Sequence, residues 1–399
     1  MYKLATNLHI EKKGEDKFLK QPRTNQGVRI GEHLRALLPK ILGEELPSTK
    51  EEVLRTHLMG YELLERGIVV PKETVDQTSY FNDLSPLKLV EQGFFNCKPS
   101  RVDKLKPEQK ICFLGVPYDS GASKPGCRFG PAMLRDVSRA YGFRGSLFSL
   151  ETRNEVDISE FSADLGDLFL ERSSLDEHLG SLEKVYQGIP KGVIPFMVGG
   201  DHSFTLPALA GLCKDKAEDV TLVQFDSHLD LQVWGKFKNG IPLNLDQPLH
   251  SNFVSHLHSR IPKLKSIQLG IRHYQSIPAG KAKDVADYLN VIGTQITDQQ
   301  CNSWSIEDLL DKLPKGERVY LTIDVDVLKS SDMGNTGYPN PTGISFDRLL
   351  TMARYVLKHN QVIGIDIMEF GQSSRRDEQR RECELITTLM VGLLEGMER

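Results

Sequence analysis

From Lys110 onward the apolar positions gather in short unbroken runs, ICFLGV, VIPFMVGG, VTLVQFD, SIQLGI, RVYLTID and VIGIDIME, separated by stretches of helical spacing. Runs without polar alternation suit strands buried on both faces, and helices between them suit a parallel sheet built through crossovers. Residues from about 106 to 399 therefore read as one doubly wound α/β domain. The first 105 residues differ, being short, interrupted and mostly helical in pattern. Leu34, Leu37, Leu38 and Ile41 make one apolar stripe, and Ser48 with Glu51 forms a capping-box signal ahead of Val53, Leu54, Leu58, Tyr61 and Leu64. Gly67 stops that helix, and the apolar run Ile68 to Pro71 follows it. Two long irregular stretches, Leu231 to Leu249 and Lys329 to Ser345, are expected to wall a site, since long loops inside a compact domain usually carry function.

Charge narrows the partners. With 50 basic against 54 acidic side chains there is no positive excess to neutralise a phosphate backbone or an anionic membrane, so neither nucleic acid nor membrane is an expected partner. The opening MYKLATNLHIEKKGEDK lacks an apolar core of signal-peptide length, and no later run could span a bilayer, so a cytoplasmic protein is expected. The six cysteines stand singly without a CxxC pair and are expected as free thiols packed like small apolar groups.

The chemistry gathers where runs end. One run finishes at Gly199-Gly200-Asp201-His202, another at Asp226-Ser227-His228-Leu229-Asp230, a third at Asp324-Val325-Asp326. In parallel α/β sheets the ligand site lies beyond the carboxyl ends of the strands, so the three clusters should meet in one crevice. Five carboxylates and two imidazoles crowded there could not stay ionised without cations. Alternate residues of an extended segment share a side, which lets Asp226, His228 and Asp230 face one pocket, as can Asp324 with Asp326. Mixed imidazole and carboxylate ligation without thiolate favours two manganese ions, with nickel, iron or cobalt as substitutes. Such a pair would hold a hydroxide as nucleophile at neutral pH. Taken one at a time, an Asp-x-Asp reads as a cap or turn and GGDH as a tight turn into a helix capped by Asp201.

In order along the chain, GVPYDSGASKPGCRFGP, DLGD, GGDHS, DSHLD, GIR, IDVDV and DIMEF resemble the motifs of the ureohydrolases, the family of arginase, agmatinase, guanidinobutyrase and formiminoglutamase, over roughly residues 111 to 395. The resemblance implies a three-layer α/β/α fold and a binuclear site on His202, Asp226, His228, Asp230, Asp324 and Asp326. It further implies a reaction that cuts urea from a guanidino group, with Glu369 of DIMEF as acceptor for the guanidinium and Asp230 as a catalytic carboxylate. The proton-shuttle position falls on His250, with His256 and His258 close enough to fill the role instead. Gln232 and Asn252, polar neighbours of these motifs, are candidate substrate contacts. Homo-oligomers, commonly trimers or hexamers, are also implied.

Departures from the family bear on substrate. DSHLD stands for the usual DAHxD, and Thr342-Gly343 for a usual glycine pair, without loss of a ligand. Leu231-Gln232-Val233-Trp234 stands where arginases place the asparagine that grips the amino-acid end of free arginine. Residues 1–105 resemble the winged-helix units with which ribosomal-peptide-modifying enzymes hold a precursor peptide; they equally read as an extension that packs on the catalytic domain or builds an oligomer interface. Arginine side chains within a peptide, converted to ornithine, are the first expected substrate. A small guanidino compound of the agmatine or guanidinobutyrate kind is the second, and a non-catalytic metal-binding regulatory module is the alternative of another class.

Overall fold

The computed structural model describes residues 86–395 and 397, apart from 107, 121–124, 142–145, 171–174, 214–218, 239–240, 244, 372 and 374, together with 2–4, 9–13, 16–21, 26–29, 31–42, 63 and 69–71. The chain divides into two compact units, residues 1–86 with 170–177, and residues 87–169 with 178–399. The division falls earlier than the expected boundary at 105, because residues 87–105 belong to the larger unit. Leu87–Lys88 and Lys98–Pro99 pair with a strand of its sheet, and the Phe94 and Phe95 rings lie 5.2 and 5.8 Å from that of Phe113.

The smaller unit is richer in strand than its pattern suggested. His9–Lys13, Asp16–Gln21 and Gln26–Arg29 form an antiparallel sheet, and Tyr2–Leu4 pairs with Val69–Pro71. These segments are short and dense in charge, so they carry little apolar alternation to betray them. The expected first helix is present as Glu32–Leu42, with Leu34 and Leu37 buried. The capped helix expected over 48–67 lies, except for Leu63, outside the described residues.

The larger unit is built on eight parallel strands: β1 (Ile111–Gly115), β2 (Ser162–Leu168), β3 (Ile194–Val198), β4 (Val220–Phe225), β5 (Leu264–Ile271), β6 (Gly293–Thr297), β7 (Arg318–Asp324) and β8 (Gln361–Met368). Their order across the sheet is β2-β1-β3-β8-β7-β4-β5-β6. Alternate residues point to opposite faces. Phe113, Phe196, Val223, Leu321 and Ile365 enter a core shared with helices Gly130–Tyr141, Phe346–His359 and Arg376–Leu394. Leu114, Met197, Leu222 and Tyr320 are as fully buried on the other face, which carries helices Thr205–Leu212 and Phe253–Arg260. This is the expected three-layer α/β/α arrangement.

Two strands escaped the apolar pattern. β6 is a polar edge strand, and β2 holds Asp164 fully buried. That carboxylate is matched by Arg135, whose Nε donates at 2.9 Å, and it accepts from the backbone of Phe94 and Gly166 at 2.9 and 2.8 Å. A second arm, Nη2, reaches Asp167 at 2.9 Å. A buried carboxylate stripped of its counter-charge is costly, so Arg135→Met is expected to lower the unfolding free energy by about 3–5 kcal/mol. Chemical denaturation reads this directly, and a loss below about 1 kcal/mol would show that the backbone donors suffice.

All six cysteines are buried and free, as expected. Among the described residues no helix is long and apolar enough to cross a membrane.

Candidate metal centre

The strands β3, β8, β7 and β4 are neighbours in the sheet, and the acidic and histidine clusters sit at their carboxyl ends. At β3 the chain turns sharply against the loop after β1. Gly200 N donates to Val116 O at 2.7 Å, and a Cβ on Gly200 would lie 1.6 Å from Tyr118 O, so only glycine fits. Asp201 then caps the turn His202–Phe204 through Ser203 N, while His202 points into the crevice. The cap and ligand readings of GGDH thus fall on adjacent residues. At β7 they fall on one: Asp324 Oδ1 accepts from Asp326 N at 2.8 Å, and its Oδ2 faces His202.

The convergence is tight. Buried His202 Nδ1 lies 3.2 Å from Asp226 Oδ2 and 3.4 Å from both Asp230 Oδ2 and Asp324 Oδ2. None of these contacts has hydrogen-bond geometry. His228 Nδ1 lies 3.0 Å from Asp326 Oδ2 and 3.5 Å from Asp226 Oδ1. Two donor groups result, His202 with Asp226 and Asp324, and His228 with Asp226 and Asp326, each with its atoms within 4.8 Å of one another. Asp226 belongs to both, the position a bridging carboxylate requires.

Electrostatics agree with a site made for cations. Burial, together with neighbouring carboxylates, holds Asp230 and Asp324 well above the usual carboxylate range. Burial acts downward on the two imidazoles, but the adjoining carboxylates outweigh it, raising His202 far above its ordinary value and His228 to about 12. Asp226 is lowered despite its burial because both imidazoles face it. A surrounded yet unbonded nitrogen and four converging aspartates, Asp201 being spent on its cap, fit divalent cations.

Above the cluster opens a cavity of about 440 Å³. Glu369 stands at its edge, 6% exposed and in the left-handed region at φ 65°. Its Oε1 accepts from His202 N at 2.9 Å, and Oε2 faces Gly337. Asp230 is likewise left-handed at φ 48°. Non-glycine residues in that region are strained and tend to mark functional sites. Both irregular stretches form walls as expected, the first through Leu231, Val233 and Trp234, the second through Thr336, Gly337 and Tyr338. Arg272 of the GIR motif ties the second to the centre, its N bonded to Ser227 O and its Nη2 to Tyr338 O.

The structure separates the remaining candidates. Of the three nearby histidines His250 lines the cavity; His256 Nε2 meets Asp246 O and His258 Nε2 meets Ser266 Oγ, each at 2.8 Å. Gln232 and Asn252 do not line it. Both are buried, with Gln232 Oε1 accepting from Asp246 N and Asn252 bonded to Leu249 N and Gln247 O, so they brace the 231–249 stretch. A row of buried polar side chains beneath the ligands, Gln224 and Thr322 among them, is not among the candidates read from the sequence. Their signal was a polar residue inside an apolar run, two places before a ligand and so on its side of the strand.

The sequence model of the arginase family matches residues 109–393. The chain is 30% identical over 297 residues to the N(1)-aminopropylagmatine ureohydrolase of Thermococcus kodakarensis, covering 73% of this chain and 93% of that protein. It is 31% identical over 261 residues to the agmatinase of Pyrococcus horikoshii, covering 64% and 82%. Among solved structures, the proclavaminate amidino hydrolase of Streptomyces clavuligerus superposes with a TM-score of 0.62 at 20% identity, over 78% of this chain and 98% of that one. The formiminoglutamase of Trypanosoma cruzi, solved with Mn2+, gives 0.58 at 23% identity, over 75% and 98%. At such identities the structural likeness speaks for the fold alone.

Proposed function

Because the chain belongs to the arginase family, hydrolases of amidino C–N bonds, we propose that it releases urea from a terminal guanidino group on a body that carries no carboxylate. The observation that carries this reading is the cavity wall. Among the described residues, the lining outside the histidine and aspartate cluster, Glu369 and His250 is uncharged, with Leu231, Val233, Trp234, Ser251, Gln275 and Tyr338 among it. A carboxylate such as that of free arginine finds no cationic partner among them, and burying an unpaired charge is unfavourable. A small alkylguanidine of the agmatine type avoids that cost, and the curated relatives bear the names of enzymes of such compounds.

His202, Asp226, His228, Asp230, Asp324 and Asp326 would hold two divalent cations, with manganese favoured by the donor set and by its presence in the formiminoglutamase structure. When bound, such ions supply Lewis acidity and lower the pKa of water. Glu369 accepts hydrogen bonds from the planar guanidinium, a forked donor that a carboxylate matches. Asp230 Oδ2 takes the proton given up by attacking water, and His250 hands a proton to the leaving amine as the C–N bond breaks.

A second reading is favoured by the mouth of the cavity, where Trp234 and Tyr338 are 49% and 47% exposed. Half-exposed aromatics beside neutral groups suit an arginine side chain within a peptide, whose amine and carboxylate are locked in neutral amides. A urea assay with manganese on agmatine, guanidinobutyrate, free arginine and an arginine-containing peptide decides. Turnover of agmatine with free arginine and guanidinobutyrate at least about tenfold poorer is expected; free arginine as the best substrate would overturn the proposal. Turnover of the peptide, with agmatine inert, would establish the second reading.

A further inference from the structure

Strand register places four polar side chains in one line across the sheet. Gln268 on β5 is the direct partner of Gln224 on β4, Gln224 of Thr322 on β7, and Thr322 of Asp366 on β8. All four have no exposed surface. Polar groups buried so completely in the centre of an apolar sheet are destabilising unless satisfied, and these, apart from Gln268 Oε1, are satisfied by one another, by Thr205 and Tyr320 and by the metal-centre residues above them.

The direction of each hydrogen bond can be read. Gln224 Nε2 donates to Asp226 Oδ2 at 2.8 Å and Asp230 Oδ2 at 3.4 Å, so its oxygen must face away, where it accepts from Gln268 Nε2 at 2.8 Å. The other hydrogen of Gln268 goes to Leu229 O at 2.7 Å, the carbonyl just before left-handed Asp230. The amide pair thus grips both the carboxylates and the backbone of residues 226–230. In the other half Asp366 accepts from three hydroxyls, those of Thr205 and Tyr320 at 2.8 Å and that of Thr322. Since Thr322 spends its hydrogen on Asp366, its oxygen accepts from His202 Nε2 at 2.7 Å. Nε2 therefore donates to the shelf, and Nδ1 is the nitrogen turned to the three surrounding aspartates.

We infer that Gln268, Gln224, Thr322 and Asp366 form a positioning shelf that presets the ligand side chains for the two cations. The inference rests on the two-metal reading of the site. It makes these residues positioning rather than catalytic: they act through His202, Asp226 and Asp230.

The test is titration of the full chain, freed of metal, with manganese alone. The unaltered protein takes up two equivalents. Gln224→Met and Thr322→Val, near-isosteric changes that remove the hydrogen-bonding group, lower manganese affinity roughly 10–100-fold. Thr322→Ser, which keeps the hydroxyl, retains affinity; metal-free Thr322→Val melts below Thr322→Ser because it strands His202 Nε2 and Asp366, so affinities are compared at a temperature where both are folded. Equal affinity in all four proteins, or equal weakening in Thr322→Ser and Thr322→Val, would overturn the shelf. Failure of the unaltered chain to bind manganese would overturn the metal centre itself. Should Thr322→Val not fold, Gln224→Met alone decides between weakened and unchanged affinity.

Discussion

Exchange of His228 for asparagine is expected to reduce urea release by roughly a thousandfold or more while leaving the fold intact, a rise in barrier of about 4 kcal/mol at 1.36 kcal/mol per decade. His228 is the only imidazole of the second donor group, alongside Asp226 and Asp326. Asparagine occupies the space but offers no imidazole nitrogen, and the two carboxylates are left with a weaker partner for the same charge. The side chain of His228 is 32% exposed, so the substitution opens no cavity in the core, and circular dichroism and thermal melting should be near those of the unaltered protein. Turnover measured at saturating manganese, with metal content determined on the same sample, checks the expectation. Unaltered turnover would remove His228 from the centre.

Replacement of Glu369 by alanine should act on substrate instead. Hydrogen bonds to charged groups contribute about 1.5–3 kcal/mol each, so loss of a two-pronged guanidinium contact predicts a fall in kcat/KM of about 10^2–10^4. Metal content should persist, since Glu369 belongs to neither donor group. Some of the loss will be structural, because the Oε1 acceptor for His202 N disappears and alanine must take the left-handed conformation at this position. Glu369→Gln separates the two contributions: it preserves shape and an acceptor for His202 N while removing charge, and should fall between the unaltered enzyme and the alanine variant. Normal kcat/KM in Glu369→Ala would remove this residue from substrate binding.

Much of this centre was legible because its residues stand at strand ends, although the ligand segments are not themselves extended as alternation supposed: Asp326 lies in the 3-10 turn Val325–Val327 and Asp230 is left-handed. The six continuous apolar runs became β1, β3, β4, β5, β7 and β8, and the order β3-β8-β7-β4 brings the GGDH, DIMEF, IDVDV and DSHLD ends side by side. The strands that escaped notice break the pattern for physical reasons. β2 carries a buried carboxylate whose partner, Arg135, is remote in sequence, and β6 lies at an edge where polar residues are tolerated. Gln232 and Asn252 illustrate the limit of proximity in sequence: each stands near a motif, yet its side chain turns into the loop it stabilises. The shelf lay beyond the pattern because register between β4, β5, β7 and β8 cannot be read from any one strand. Likewise the choice among His250, His256 and His258 depended on which way a helix start faces the cavity, and only His250 meets it.

The central claim is that three distant chain segments cage two divalent cations. Anomalous scattering at the manganese edge from crystals grown with manganese tests it most directly. The account predicts two peaks, one among His202, Asp226 and Asp324 and one among Asp226, His228 and Asp326. A map without a peak at either position would contradict it.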